Sequence, residues 1–148
     1  MSMLQKYQND FITFAEVGMI AVGQMDEDSA LKLFRAAEAL KPDNSLPKIG
    51  RGYLHLCKLE LKQSCKMFEE VLKHEPQNEM AKTFLGLALS LSPNDLVKGE
   101  KILEEEAKRA HDPEIKKLAA DAVGFVEKFV KKSPTPTQGQ KSHQEKKK

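Results

Sequence analysis

The sequence contains two consecutive stretches with the same landmarks, FITFAEVGMIAVGQMDEDSALKLFRAAEALKPDN (residues 11–44) and SLPKIGRGYLHLCKLELKQSCKMFEEVLKHEPQN (residues 45–78). A glycine, a phenylalanine, a proline and an asparagine hold the same places in both, and the glycine returns in a third interval. The matching residues are Gly18, Gly52 and Gly86; Phe34 and Phe68; Pro42 and Pro76; Asn44 and Asn78. A period of 34 residues is typical of helix–turn–helix units that stack into a solenoid.

Each landmark has a packing role in such a stack. Numbering each interval from Phe11, we expect positions 8 and 20 to be small because the two helices of a pair cross there. Position 24 is large because it fills the gap between neighbouring pairs, and position 27 touches the next unit. These positions hold Gly18, Ala30, Phe34 and Ala37 in the first unit, and Gly52, Ser64, Phe68 and Val71 in the second.

The third unit departs from this register. Gly86 keeps its place, but Gly99 takes the small position only after one inserted residue. Beyond it, Asp112-Pro113 begins a last helix that we expect to reach Val130 and to cover the open apolar side of the stack. The sequence therefore predicts an all-α fold, a tetratricopeptide-repeat solenoid of about three helix pairs plus a C-terminal capping helix, over residues 10–131.

Side chains that accept hydrogen bonds from free backbone N–H groups mark the helix starts. We expect Asp26 or Asp28 to cap the second helix and Asn78 to cap the fifth. Pro93 is expected in the first turn of the sixth helix, where its missing N–H has no cost.

The two ends of the chain differ from the repeats. Residues 1–9 are expected to be an N-terminal extension or the start of the first helix. Residues 131–148 carry a charge of +5, which leaves −3 for the rest of the chain. We interpret residues 132–148 as a disordered basic tail that serves solubility rather than recruitment. The acidic body disfavours a nucleic-acid-binding domain, whose folded face would be basic.

Several functional classes lack support in the sequence. There is no apolar run of transmembrane length and no signal peptide, which favours a cytoplasmic protein. Cys57 and Cys65 cannot form a disulfide framework. The four histidines, His55, His74, His111 and His143, have no metal-ligand spacing. We therefore expect no enzymatic activity, no cofactor and no metal.

The first helix of each pair lines the inner curve of such a stack, and positions 2, 5, 9 and 12 are expected to face it. Most of them are apolar, whereas gripping a terminal carboxylate needs cations and amide donors. We therefore predict a partner-binding groove that takes the apolar face of a helix. Its residues are Ile12, Ala15, Met19, Val22, Leu46, Ile49, Tyr53, Leu56, Met80, Thr83 and Leu87.

The occupant of this groove stays open at the level of sequence. The chain's own N-terminal segment, through Leu4 and Tyr7, or a second copy of the chain are alternative occupants. If a partner binds, we expect Ile49→Asp or Leu56→Asp to abolish binding while the monomer stays helical.

Two segments carry a resemblance to a known family. The first is AEVGMIAVG (residues 15–23), followed by the acidic residues 26–28 and Ala30; the second is Asp112-Pro113-Glu114-Ile115. Over about residues 10–130 the chain resembles the tetratricopeptide chaperones of the needle subunit of bacterial type III secretion systems, most of all the chlamydial form.

The resemblance implies a small cytoplasmic bacterial protein with two partners. The C-terminal helix of the needle subunit would lie in the concave groove and be kept from premature polymerisation. A small helical co-chaperone would pack on the outside, near the N-terminal helices. The alternatives are a chaperone of a secreted translocator protein and a generic tetratricopeptide scaffold or adaptor.

Overall fold

In a computed structural model that describes residues 6–132, every regular element is helical. Seven α-helices lie wholly within these residues, preceded by a 3₁₀ turn at Gln8–Asp10 and followed by a π-helix at Val126–Val130. They are α1 (Phe11–Gly23), α2 (Glu27–Leu40), α3 (Leu46–Cys57), α4 (Leu61–His74), α5 (Glu79–Leu91), α6 (Leu96–Arg109) and α7 (Pro113–Phe125). Apart from Lys132, the predicted tail lies outside the described residues, as do residues 1–5 of the predicted extension.

Three of the helix starts are capped by short polar side chains. The carboxylate of Asp26 and the amide oxygen of Asn78 each accept a hydrogen bond from the backbone N–H three residues on, at 3.1 and 2.9 Å. Asp112 accepts from the N–H two residues on, at 2.9 Å. The predicted caps of α2 and α5, and the predicted start of α7, are confirmed.

The start of α6 differs from the prediction. Pro93 lies in the turn before the helix, which begins only at Leu96. Asp95 precedes it without a side-chain capping bond. The prediction that Pro93 occupies the first helical turn is therefore wrong. Ser92 to Asp95 form the connection from α5 instead.

The helices pack in a regular order. Each packs against the next along the chain, and in addition α1 packs on α3, α3 on α5 and α5 on α7. The odd-numbered helices therefore form one continuous row, with each even-numbered helix packed against the two odd-numbered helices that flank it in sequence. This order positions the surface on which the functional argument rests.

Phe34 shows why glycines recur in α1 and α3. Its side chain is fully buried. A Cβ built at Gly18 would lie 2.6 Å from the Phe34 ring, and one at Gly50 would be closer still. The ring therefore fills the space between the first helix pair and the helix that opens the second, as expected for position 24.

The third unit confirms the one-residue shift in register. A Cβ at Gly99 would lie 2.6 Å from the carbonyl oxygen of Gly86, so the backbones of α5 and α6 touch at this point. Leu103 is fully buried four residues later, in the place that Phe34 and Phe68 hold in the earlier units.

The last helix packs on α5 and α6, as the prediction of a terminal helix requires. Ile115, Ala119 and Ala122 are buried on one face of α7. The predicted α-helix to Val130 is corrected at its end, where the last turn widens into the π-helix and buries Val126. No helix in the described range is both long and apolar enough to cross a bilayer.

Candidate functional site

The odd-numbered helices border an open apolar cavity of 570 Å³ on one side of their row. All four odd helices contribute to it. The lining residues are Met19, Ile20 and Gly23 on α1, Tyr53 on α3, Phe84 and Leu87 on α5, and Leu118 on α7.

A second hollow of 340 Å³ continues this cavity and shares Leu87 and Leu118 with it. Its remaining lining residues are Leu56, Leu91, Asp121, Ala122 and Phe125. We call the two together the apolar groove.

The shape of the groove follows from which helices line it. α1 and α7 are separated in the row by α3 and α5, yet both contribute side chains to the central cavity. The row must therefore curve, with α1 and α7 as opposite walls and α3 and α5 as the floor. An α-helix with its side chains is about 10 Å wide. A bound helix would therefore contact both walls only through apolar side chains that project along one of its faces.

Aromatic rings form the floor. The rings of Tyr53 and Phe84 are stacked, with centroids 5.2 Å apart and planes 14° apart. Phe84 is also stacked on the buried Phe68 at 5.7 Å. Burial raises the pKa of Tyr53, and a hydrogen bond with the Cys57 thiol raises it further. Such packed rings hold their positions and give the groove a floor of fixed shape.

Large apolar side chains stand exposed at both ends of the groove. Ile20 on α1 is 58% exposed and Phe125 on α7 is 45% exposed. Among residues 6–132, Asp121 is the one charged residue in the lining, and it pairs with Lys117 at 2.8 Å. The groove therefore offers hydrophobic contact rather than charge recognition.

Three predicted groove residues come together in the central cavity. They are Met19, Tyr53 and Leu87, which occupy position 9 in the first, second and third units. Leu56 reaches the adjoining hollow but is only 5% exposed.

The predicted residues at positions 5 and 12 do not lie on an accessible surface. Ala15, Ile49 and Thr83 at position 5, and Val22 at position 12, are buried in the core. On a helix of 3.6 residues per turn, positions 5 and 12 lie on one stripe, and position 9 lies beside it. The stripe at positions 5 and 12 packs against neighbouring helices, and of its predicted residues only Leu56 reaches the lining of the groove.

The residues at position 2 lie outside the groove lining. Leu46 packs against the buried cluster that contains Phe11, and Met80 packs against the cluster that contains Phe84. Ile12 is half exposed on α1.

Several groove residues were missed by the sequence analysis. Phe84 and Leu91 flank the predicted Leu87 at helical spacing, at positions 6 and 13 of the third unit, so their stripe was visible in the sequence. Leu118 and Phe125 carried no such signal, since α7 was expected only to cover the end of the stack.

No group of three metal-ligating side chains suited to a metal ion occurs in the described part of the chain. Comparisons with protein families, with curated proteins and with solved structures found no match to this chain.

Proposed function

We propose that this chain is a tetratricopeptide-repeat solenoid that acts as an export chaperone in the bacterial cytoplasm. Its apolar groove binds the amphipathic helix of the needle subunit of a type III secretion system and prevents premature polymerisation. The observation that carries the proposal is the groove itself, in which Met19, Tyr53 and Leu87 repeat the same position of three successive units.

Shielding of a helix by this groove needs no chemistry beyond hydrophobic burial. Removing apolar surface from water contributes about 25 cal/mol per Å². A subunit that polymerises through the same stripe cannot do so while the groove covers it. The client must later be released for export, so very tight binding would defeat the purpose.

The exposed face of α1 supports a second partner. Val17 is 43% exposed, does not line the groove, and lies on a different side of the helix from Met19 and Gly23, which do. A helix with large apolar side chains both inside and outside its packed face is suited to a further apolar contact. We propose that this outer face of α1 receives the small helical co-chaperone that the family resemblance implies.

The identity of the client rests on the sequence resemblance, whereas the preference for a helix rests on the groove. A standing scaffold would use the same groove but keep its partner. A chaperone instead loses its partner to the export pathway. The alternative client for a chaperone is a translocator protein in place of the needle subunit.

A peptide with the sequence of the needle subunit's C-terminal helix tests the proposal. Its affinity is measured by calorimetry for the natural chain and for Ile20→Asp, which places a charge at an exposed groove position without entering the core. Val97→Asp is the matched control, because Val97 is 81% exposed on α6 and does not line the groove. Ile49→Asp and Leu56→Asp are unsuitable: these side chains are 2% and 5% exposed, so we now expect both changes to unfold the chain rather than to spare it.

We expect binding of the peptide by the natural chain and by Val97→Asp. Loss of one apolar contact at Ile20 costs about 2 kcal/mol, or roughly thirtyfold in Kd. Equal affinity for Ile20→Asp and Val97→Asp would exclude the groove as the binding site. Failure of the natural chain to bind this peptide or to slow needle-subunit polymerisation would exclude the proposed client.

A further inference from the structure

Glu106 on α6 occupies a place that the earlier units fill with apolar side chains. With the one-residue shift of the third unit, it corresponds to Val71 in the second unit and Ala37 in the first. All three are buried: Ala37 is 0% exposed, Val71 3% and Glu106 7%. A carboxylate therefore stands in a core position.

This carboxylate is poorly satisfied by its surroundings. Within residues 6–132, its Oε2 atom has no hydrogen-bond partner. Its Oε1 atom forms an ion pair with Nζ of Lys82 at 3.6 Å, a separation too long for a hydrogen bond. The Lys82 ammonium donates instead to the side-chain oxygen of Gln77 at 3.1 Å.

Stability alone does not account for a glutamate here. Burying a charge costs free energy unless it is paired and hydrogen-bonded. An apolar residue of similar volume, such as Val71 in the second unit, commonly serves such a place at no loss of stability. The unpaired oxygen therefore points to a ligand that supplies the missing donor.

A cavity of 460 Å³ lies at this carboxylate, between the start of α5 and the end of α6. It shares no lining residue with the apolar groove. Its lining residues are Gln77, Glu79, Lys82, Glu105, Glu106, Arg109 and His111.

The charges of this cavity favour a cation. Three carboxylates face two cationic side chains when His111 is neutral. Glu79 is already engaged, since its Oε1 atom accepts from the backbone N–H of His111 and its Oε2 atom from that of Asp112, at 2.6 and 3.0 Å. Glu106 is therefore the buried acceptor that remains open.

We propose that this cavity binds an organic cation with N–H donors, an ammonium or guanidinium group, and that Glu106 Oε2 accepts its hydrogen bond. Such a group supplies both the positive charge and the donor, whereas a single buried carboxylate does not meet the six to eight oxygen ligands of calcium. The source is a basic side chain of a bound protein or a free polyamine, which offer the same chemistry.

Titrations followed by ¹H–¹⁵N spectra test the proposal and separate the two sources. The probes are Nα-acetyl-arginine amide, Nα-acetyl-lysine amide and spermidine, with tetramethylammonium as a cation that lacks N–H donors. We expect saturable shifts at amides of residues 77–82 and 105–111 with the first three probes only. A polyamine site binds spermidine more tightly than either amino-acid amide, whereas a site for a protein side chain does not.

Glu106→Gln removes the charge with little change of shape, and Glu104→Gln is the matched control on an exposed residue of α6 that does not line the cavity. We expect at least a tenfold loss of affinity for Glu106→Gln and less than a twofold loss for Glu104→Gln. Equal affinity of both variants, equal binding of tetramethylammonium, or no saturable shift with any probe would overturn the proposal.

Glu106→Val covers the case in which Glu106→Gln fails to fold. It restores the side chain of the second unit, so we expect an unchanged or higher Tm together with loss of cation binding. A lower Tm for Glu106→Val would show that the carboxylate stabilises the fold, and would also overturn the proposal.

Discussion

Leu59 takes the same left-handed backbone conformation as Met25, the residue 34 positions earlier, with φ of 58° and 61°. Each follows the end of an odd-numbered helix and leads into the next, and an ion pair of 3.2 Å between Lys58 and Glu27 joins the two turns. The third turn cannot repeat this conformation, because Pro93 stands in the corresponding place and the proline ring fixes φ near −65°. The connection between α5 and α6 therefore takes a different conformation. The one extra residue that precedes Gly99 in the third unit is the consequence.

Leu59→Gly should stabilise the protein. Glycine avoids the cost of about 1–2 kcal/mol that a side chain incurs in the left-handed region, and part of this gain is offset by its freedom in the unfolded chain. Little burial is lost, since Leu59 is 68% exposed. We expect a gain of up to about 1 kcal/mol in the free energy of unfolding, measured with urea. Leu59→Ala keeps a Cβ and should leave stability unchanged; a gain as large as that of glycine would contradict the role of backbone strain.

Gly52→Ala and Gly124→Ala should change stability in opposite directions. A Cβ at Gly52 would meet three ring carbons of the buried Phe68 at 2.5–3.0 Å, whereas one at Gly124 would meet nothing within 4 Å. Overpacking costs about 1–3 kcal/mol, while replacing a helical glycine that has open space around it by alanine gains up to about 1 kcal/mol. Thermal unfolding of both variants is the measurement. A Tm for Gly52→Ala at or above that of the natural chain would show that the glycine is not needed for this close approach.

Much of the fold could be predicted because its signals are local. The caps Asp26 and Asn78, and the end of α2 before Pro42, depend on residues within a few positions of each helix end. The shift at Gly99 was also visible, because only a small residue fits where two helix backbones touch.

The groove was harder to predict because the facing of a helix depends on its neighbours. Position 5 is as apolar as position 9, and the sequence alone does not say that Ile49 packs inward while Tyr53 faces the groove. A rotation of the helix about its own axis by less than half a turn would decide which of the two positions faces the groove. The contribution of Leu118 required the curvature of the row, which arises from all the helix contacts together.

Glu79 should make stability dependent on pH in the acid range. The backbone N–H of Asp112, then that of His111, then the His111 ring lower the pKa of Glu79 from 4.5 to about 2. Because the folded pKa is depressed, the stabilisation is present above pH 4.5 and is lost as pH falls from 4.5 towards 2. We expect Glu79→Gln to lower the urea midpoint at neutral pH and to differ less from the natural chain at about pH 3.

Glu104→Gln is the control for this experiment, since Glu104 is exposed on α6 and makes no hydrogen bond or ion pair within the described residues. Hydrogen exchange at the amides of His111 and Asp112 adds a local readout, because Glu79 is their acceptor. Unchanged exchange at both amides in Glu79→Gln would contradict the bonding that lowers this pKa.

Tyr53 should report on occupation of the groove through its own ionisation. The chain has two tyrosines and no tryptophan, so Tyr7→Phe leaves Tyr53 as the sole phenol. Burial first, and then the Cys57 thiol, raise its pKa above the usual value of 10.0. The neutral phenol is therefore favoured by folding, and its contribution to stability is present below pH 10.0 and lost as pH rises through the folded pKa.

An apolar ligand that covers Tyr53 removes more water from the phenol, so bound peptide should raise the pKa of Tyr53 further in an ultraviolet pH titration. Cys57→Ala should lower the pKa of Tyr53 in the free protein. A Tyr53 pKa that changes neither with bound peptide nor in Cys57→Ala would show that Tyr53 does not lie on the floor of the groove.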